Sequence, residues 1–248
     1  MMVKNKIRGD TMYSVIIVAA GSGRRMNLDI NKQFIKLREK EIIAHTIQVF
    51  CENINIDEIV VCIKKEEEDF FKENIINKYN FKNIKIAYGG KERQDSIYNG
   101  LKKLDENCDI VLIHDGARPF VDHRIINESI KVAKEKKAVV VGVPVSDTIK
   151  IVSDGTVQET PERNLLWAAQ TPQTFEYNLI IDAYEQAYKN NYYGTDDSML
   201  VENIGQSVTM VMGSYENIKI TSPEDLNIAE QILNMEKRDE VNSRRRII

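Results

Sequence analysis

The sequence predicts an α/β domain: a mainly parallel sheet flanked by helices, with a protruding β-hairpin arm. Three observations predict it. Short apolar runs rich in β-branched residues alternate at regular spacing with amphipathic stretches. Polar loops, two of them bearing paired or alternating glycines, follow the first, third and fourth runs, where the C-terminal strand ends of an open α/β sheet receive ligands. Between residues 144 and 167 the alternation stops and a hairpin pattern replaces it.

The first run, Val15–Ala19, reads as a buried strand and opens into Ala20-Gly21-Ser22-Gly23-Arg24-Arg25-Met26, with Lys32-Gln33-Phe34 just beyond. Gly21 and Gly23 lack a Cβ and let backbone come close to a ligand, and successive N–H groups in such a loop form an anion-binding hollow. Arg24, Arg25 and Lys32 add positive charge. The loop is a triphosphate cradle or an ordinary turn. It is not a Walker A loop, which ends in Gly-Lys-Ser/Thr. It is not a dinucleotide fingerprint either, because Met26 stands where the third glycine would be.

Ile42–Phe50 places apolar residues at 43, 47 and 50, one helical face; Ile59–Ile63 is the second strand. Glu66–Asn77 opens with three glutamates, which suit a helix N-terminus, and Phe71, Ile75 and Tyr79 follow at four-residue spacing. Ile84–Tyr88 is the third strand. Gly89–Ser96 follows it, and Ile97, Leu101 and Leu104 mark a helix that Ser96 or Asp95 would cap. Asp109–His114 is the fourth strand, ending in Asp115-Gly116-Ala117-Arg118-Pro119. His123–Lys136 is an amphipathic helix and Ala138–Val143 the fifth strand.

The hairpin joins Asp147–Val152 to Val157–Thr160 through Ser153-Asp154-Gly155-Thr156 and has little apolar area of its own. It is an edge excursion or an arm that needs a partner. Leu165–Gln173 reads as a return into the body and Tyr177–Lys189 as a helix. A short helix follows Thr195, its expected cap. Ser207–Val211 and Asn217–Thr221 read as strands, and Pro223 at a first helical position starts the last helix, expected to run to Met235.

The 248 residues suffice for one domain with a sizeable core, and no repeat or linker divides them. Its expected span is 12–235, including the arm at 144–167, with an extension at 1–11 and a charged tail at 236–248; Met12 is an alternative start. A net charge of −4 argues against a nucleic-acid partner. Cys51, Cys62 and Cys108 form no C-x-x-C pair, so buried thiols in a reducing cytoplasm are the default. No apolar run approaches the roughly 20 residues that span a bilayer. Arg244-Arg245-Arg246 is a solvated end or a weak electrostatic contact.

The blocks A-A-G-S-G-R-R-M, N-K-Q-F, G-G-K-E-R-Q-D-S, H-D-G-A-R-P, P-V-S-D-T-I-K, T-P-Q-T-F, T-D-D and N-I-K-I-T-S-P-E-D-L, in this order, resemble the 2-C-methyl-D-erythritol 4-phosphate cytidylyltransferases. Ribitol-5-phosphate cytidylyltransferases share several blocks, but Arg93-Gln94-Asp95-Ser96-Ile97 is more similar to the first family. Lys91 departs from it, since an Asp often stands there. The resemblance implies a Rossmann-like fold, CTP and a sugar-alcohol phosphate as substrates, and Mg²⁺ held mainly by the CTP phosphates. It also implies a homodimer in which the arm embraces the neighbouring subunit.

Carried onto this chain, the resemblance gives Arg25, Lys32 and Lys219 to the reacting phosphates. Ala19, Ala20, Gly21, Gly23, Gly90, Ser96, Asp115 and Gly116 fall to CTP, with Ala20, Gly90 and Ser96 framing the cytosine. Thr148, Arg163, Thr171 and Thr195 fall to the polyol phosphate, with Arg118 beside them. Bland alternatives stand next to these roles. Arg118 pairs with Asp115, Lys219 is a strand-edge lysine, Ser96 is only a helix cap, and Asp147 and Arg163 form an ion pair in the arm. His45, His114 and His123 are scattered and need no catalytic role. From another class, a catalytically inactive nucleotide sensor would keep the same fold.

Overall fold

The computed structural model describes residues 11–21 and 32–245, and of Lys32 and residues 236–245 the backbone alone. The chain starts with β1 (Met12–Val18). A single 3-10 turn at Lys32–Phe34 leads into a small hairpin, β2 (Lys36–Leu37) and β3 (Lys40–Glu41), that local pattern did not foretell. Then come α1 (Ile42–Glu52) and β4 (Glu58–Ile63). The helix expected at 66–77 begins as a 3-10 turn (Lys65–Glu67), continues as α2 (Glu68–Phe71) and widens to a π-helical turn over Lys72–Asn77.

Next are β5 (Ile84–Tyr88), α3 (Arg93–Leu101), β6 (Cys108–Asp115), α4 (His123–Lys136) and β7 (Ala138–Pro144). The arm is β8 (Ile151–Ser153) and β9 (Thr156–Glu159). The chain closes with β10 (Trp167–Glu176), α5 (Tyr177–Lys189), α6 (Asp197–Asn203), β11 (Thr209–Met212) and α7 (Pro223–Arg245).

Among the described residues the central sheet has the order β11-β7-β10-β6-β1-β4-β5. Every neighbouring pair is parallel except the two that involve β10, which runs antiparallel to both β6 and β7. From β1 the chain winds outward through β4 to β5, then returns to place β6 on the other flank of β1. The crevice at the C-terminal ends of β1 and β6 is therefore the topological switch point, where such sheets take their ligands.

Side-chain alternation along β1 sorts the core into two layers. Val15 and Ile17 pack with Ile43, Ile47 and Phe50 of α1 and Ile125 and Ile126 of α4. Ile16, between them, faces the opposite side with Ile97 and Leu101 of α3 and Tyr184 of α5. All six residues of β4 are buried, as strands covered on both faces must be. α4 is closed at both ends. Asp122 accepts from the Ile125 N–H at 2.7 Å, and Lys137 turns left-handed at φ 69° with its N–H on Ala133 O. Among the described residues no helix is long and apolar enough to cross a membrane.

Several boundaries differ from the sequence expectation. Of the stretch 165–173, residues 167–173 are not a connector but most of β10. Polar Gln170, Thr171 and Gln173, the proline between them and a register shift at Ala169/Gln173 break the period-2 pattern that would have revealed a strand. Asn217–Thr221 joins no sheet among the described residues. It is held by the Ile220 N–H on Ala117 O at 2.9 Å, and Ile220 packs with Leu37, Ile42 and Ala229. The cap before α6 is Asp196, which accepts from the Met199 N–H at 3.0 Å, and not Thr195. α3 starts after Glu92, whose N–H donates to Asp95 at 2.9 Å; Ser96 lies inside the helix. α7 continues ten residues past Met235, through Arg245, so most of the expected tail is helix.

Candidate active site

A cavity of about 590 Å³ opens at the switch point. Its walls come from the ends of β1 (Ala20, Gly21), β4 (Lys64, Lys65), β5 (Gly89–Arg93) and β6 (Asp115, Ala117), and from Lys219 and Gln33. Each loop leaves its strand with one more ladder-like bond. Ala19 N–H donates to Cys62 O at 2.8 Å, Gly89 N–H to Ile63 O at 2.8 Å and Gly116 N–H to Val18 O at 2.9 Å. The loops therefore inherit the rigidity of the sheet. The first and third press together, since a Cβ on Gly89 would stand 2.3 Å from Ala20 Cβ.

Ser96 organises the β5–α3 loop. Its hydroxyl accepts from the Gly90 N–H and donates to Glu92 O, both at 3.1 Å. This is a loop clasp as well as a cavity wall. A Cβ on Gly21, by contrast, would meet nothing within 4 Å among the described residues. Gly116 is demanded by packing, because its Cβ would meet Ile43 Cδ1 at 2.8 Å.

Asp115 is the electrostatic centre. Lys219 Nζ lies 2.8 Å from its Oδ2, Arg118 Nε 3.6 Å from the same oxygen, and Arg93 Nε 3.7 Å from Oδ1. Burial alone would raise the acid's pKa. The charges of Arg93, Lys219 and Arg118 together exceed that effect and hold it well below the usual carboxylate range. Three cations around one carboxylate leave positive charge in excess, as a polyanion's site requires.

Behind Asp115 its N–H donates to Thr171 Oγ1 at 3.0 Å, and Thr171 lies 3.1 Å from His114 Nδ1. The hydroxyl, accepting from Asp115, donates to Nδ1; Nε2–H then donates to Arg118 O at 3.0 Å. Burial drives the His114 pKa down to about 4, consistent with this neutral ring. Thr171 and His114 therefore support the floor of the site.

Placed against the sequence expectations, Ala20, Gly21, Gly90, Ser96, Asp115 and Lys219 line one cavity. Ala19 and Gly116 are buried and do not line it. Lys219 is not on a strand edge. Arg118 takes the pairing alternative: besides Asp115 it donates to Asn217 O at 2.7 Å, and it does not line the cavity. Thr148 and Arg163 are exposed in the arm, and Arg163 Nη1 donates to Ser146 O at 3.2 Å. Thr195 is exposed before α6. None of these three lines the cavity. Gly23, Arg25 and the Lys32 side chain lie outside the described residues.

Sequence reasoning missed the wall residues Gln33, Lys64 and Lys65, and it missed Arg93 and Asp197. Arg93 forms a fork on Asp197, at 3.1 and 2.9 Å, and Asp197 also accepts from Tyr184 Oη at 2.5 Å. Both stand inside blocks that the resemblance quotes. Among the described residues no cluster of three or more His, Cys, Asp or Glu could hold a metal ion.

Residues 13–235 match the family described as IspD, 2-C-methyl-D-erythritol 4-phosphate cytidylyltransferase. The chain is 99% identical, over 96% of its length and the whole of the relative, to the protein of that name from Clostridioides difficile strain 630. It is 53% identical to that from Alkaliphilus oremlandii, over 89% of this chain and 94% of the other. In three dimensions it resembles the 4-diphosphocytidyl-2C-methyl-D-erythritol synthase of Anaerococcus prevotii (TM-score 0.81, 37% identity, 90% and 96% covered). It also resembles the 2-C-methyl-D-erythritol 4-phosphate cytidylyltransferase of Thermus thermophilus (TM-score 0.74, 27% identity, 90% and 98% covered).

Proposed function

The chain belongs to the 2-C-methyl-D-erythritol 4-phosphate cytidylyltransferase family, and from that premise we propose how its cavity works. The enzyme transfers CMP from CTP to 2-C-methyl-D-erythritol 4-phosphate in the non-mevalonate route to isoprenoid precursors. It yields 4-diphosphocytidyl-2-C-methyl-D-erythritol and pyrophosphate. The observation that carries the assignment is the match over residues 13–235, and the cationic cavity at the switch point suits this chemistry.

A phosphate-monoester oxygen of the polyol attacks the α-phosphorus of CTP. The bond to the β-phosphate breaks, and pyrophosphate leaves with the electron pair. The nucleophile is already anionic, so no general base is needed; the obstacle is the approach of two polyanions. Lys219, on the cavity wall, is placed to neutralise charge that spreads over the phosphate oxygens. Arg25 and Lys32 join it at the α-phosphate, and the backbone of Ala20, Gly21 and Gly23 cradles the triphosphate. Gly90 and Ser96 take the cytosine edge, where backbone carbonyls of the loop that the Ser96 hydroxyl clasps can tell an amino group from a keto group.

Mg²⁺ fits as an ion carried by the nucleotide. Among the described residues the buried carboxylate of the floor is Asp115, engaged by Lys219; it would hold the ion beside the CTP phosphates. When bound, Mg²⁺ neutralises triphosphate charge. The unpaired Cys51, Cys62 and Cys108, whose thiols burial pushes up to about 11 or 12, suit a reducing cytoplasm.

The polyol phosphate falls to Thr148, Arg163 and Thr195, with the arm of a second copy delivering Thr148 and Arg163; Thr171, expected beside them, is buried with its hydroxyl spent on Asp115 and His114 and supports the floor instead. Supporting this homodimer, the arm exposes Ile149, Ile151, Val152, Val157 and Leu165 with little of its own chain to cover them. Mixing Lys32→Ala with Arg163→Ala chains should restore part of the activity each lacks; no restoration would sink the shared site.

The function itself is tested by pyrophosphate release with CTP and Mg²⁺. Strong preference for 2-C-methyl-D-erythritol 4-phosphate over D-ribitol 5-phosphate is the expected result. The reverse preference moves the enzyme to another polyol, and CTP binding without release makes it a sensor.

A further inference from the structure

The described residues include four buried glutamines: Gln33, Gln94, Gln170 and Gln173. Three spend both ends of the carboxamide inside the protein. Gln94 donates to Tyr192 O and accepts from the Gly194 N–H, each at 3.2 Å. Gln170 donates to Ser214 O at 2.8 Å and accepts from Asn217 Nδ2 at 3.3 Å. Gln173 donates to Asp196 at 2.8 Å and accepts from the N–H groups of Asp197 and Ser198. Gln33 is the exception. It is 3% exposed and its Oε1 has no hydrogen-bond partner among the described residues.

Gln33 is also the one of the four that lines the 590 Å³ cavity, beside Ala20, Asp115 and Lys219. Its place is firm. It sits in the 3-10 turn Lys32–Phe34, and the Phe34 ring meets that of Phe70 with centroids 4.9 Å apart. Directly after the turn, Ile35 O accepts from the Ile42 N–H at 2.9 Å. A buried acceptor without a donor costs free energy in the empty protein, and a site that carries one waits for a ligand that supplies the donor.

We propose that Gln33 is a substrate-contacting residue whose carboxamide oxygen accepts a hydrogen bond from a hydroxyl of the bound sugar or polyol. The chemistry of the substrates narrows the donor. Triphosphate and phosphate-monoester oxygens carry no proton to give at neutral pH. The cytosine amino group belongs to the Gly90–Ser96 side in the reading above, on which this proposal rests. What remains are the ribose 2′- and 3′-hydroxyls of CTP and the hydroxyls of the methylerythritol chain.

The test compares wild type with Gln33→Met, which keeps length and removes the acceptor, and Gln33→Glu, which keeps an acceptor. Unfolding temperature without substrate is read first, then KM for CTP, 2′-deoxy-CTP, 3′-deoxy-CTP and 2-C-methyl-D-erythritol 4-phosphate. Gln33→Met should unfold at or above the wild-type temperature, because an unpaired acceptor has gone. It should raise KM about tenfold for the substrate that supplies the hydroxyl.

A loss confined to CTP, with discrimination against one deoxynucleotide abolished in Gln33→Met and kept in Gln33→Glu, identifies ribose. A loss confined to the second substrate identifies the polyol. Unchanged KM values for both substrates overturn the proposal. So does a lowered unfolding temperature in Gln33→Met, which would mean that the oxygen has a structural partner. If Gln33→Met does not fold, wild-type indifference to both deoxynucleotides, together with an unchanged KM for the polyol in Gln33→Glu and Gln33→Ala, overturns it equally. Wild-type turnover in the same assay is absent only if the cytidylyltransferase reading fails.

Discussion

Replacing Lys219 with alanine is expected to slow pyrophosphate release about 10²–10³-fold, the usual loss when one preorganised donor to a developing oxyanion is removed. Its ammonium is aimed by a single short contact, 2.8 Å from Asp115, and its side chain remains 37% exposed on the cavity side of that pair. Asp115 acts as a holder. It keeps the lysine at the cavity wall, and the carboxylate's own charge is balanced from behind by Arg93 and Arg118. Those two arginines remain in Lys219→Ala, so the fold should persist, with an unfolding temperature close to that of wild type. Turnover within about tenfold of wild type would remove Lys219 from the chemistry and leave it as a partner of Asp115.

Asp197→Ala should instead act on stability, by about 1–3 kcal/mol in chemical denaturation, because the buried Tyr184 hydroxyl loses its acceptor and Arg93 loses its charge-assisted fork, keeping only Asp115 at 3.7 Å. Asp197 is 1% exposed and receives both Arg93 nitrogens and the Tyr184 hydroxyl. The loss reaches beyond the ion pair. Arg93 and Gln94 stand in the first turn of α3, and Gln94 holds Tyr192 O and the Gly194 N–H on the segment that leads into α6. Asp197→Asn, which keeps a carbonyl for Tyr184, should lose less. A change under 1 kcal/mol in Asp197→Ala would show that the fork on Arg93 contributes little.

The strands that build the site were legible because β4, β6 and β7 are buried on both faces and so read as continuous apolar runs. The cavity loops were legible because glycine and charge gather at strand ends. β10 was not legible. Its hydrophobic content is low, and it lies between β6 and β7 by ladder bonds that local sequence does not encode. Asn217–Thr221 erred in the other direction. Ile218 and Ile220 alternate as in a strand, but they pack with the cluster under α7. The pairing of Arg93 with Asp197 spans 104 residues, and neither partner's neighbourhood announces the other. Gln33 is similar: its meaning lies in what fails to reach it.

The arm enters and leaves the body at one point. Pro144 pairs with Trp167 at the end of the β7–β10 ladder, and the Val145 N–H donates to Leu166 O at 3.0 Å. Below that rung the two strands are an antiparallel pair with one register shift at Ala169/Gln173, and above it residues 145–166 form a closed excursion. Such an insertion can lengthen, shorten or change its surface without moving any register of the sheet beneath. The registers of the body and the apolar face of the arm are therefore separable in mutation. That face can drift while the sheet stays fixed; Thr148 and Arg163, which the proposed shared site uses, are the arm positions that cannot.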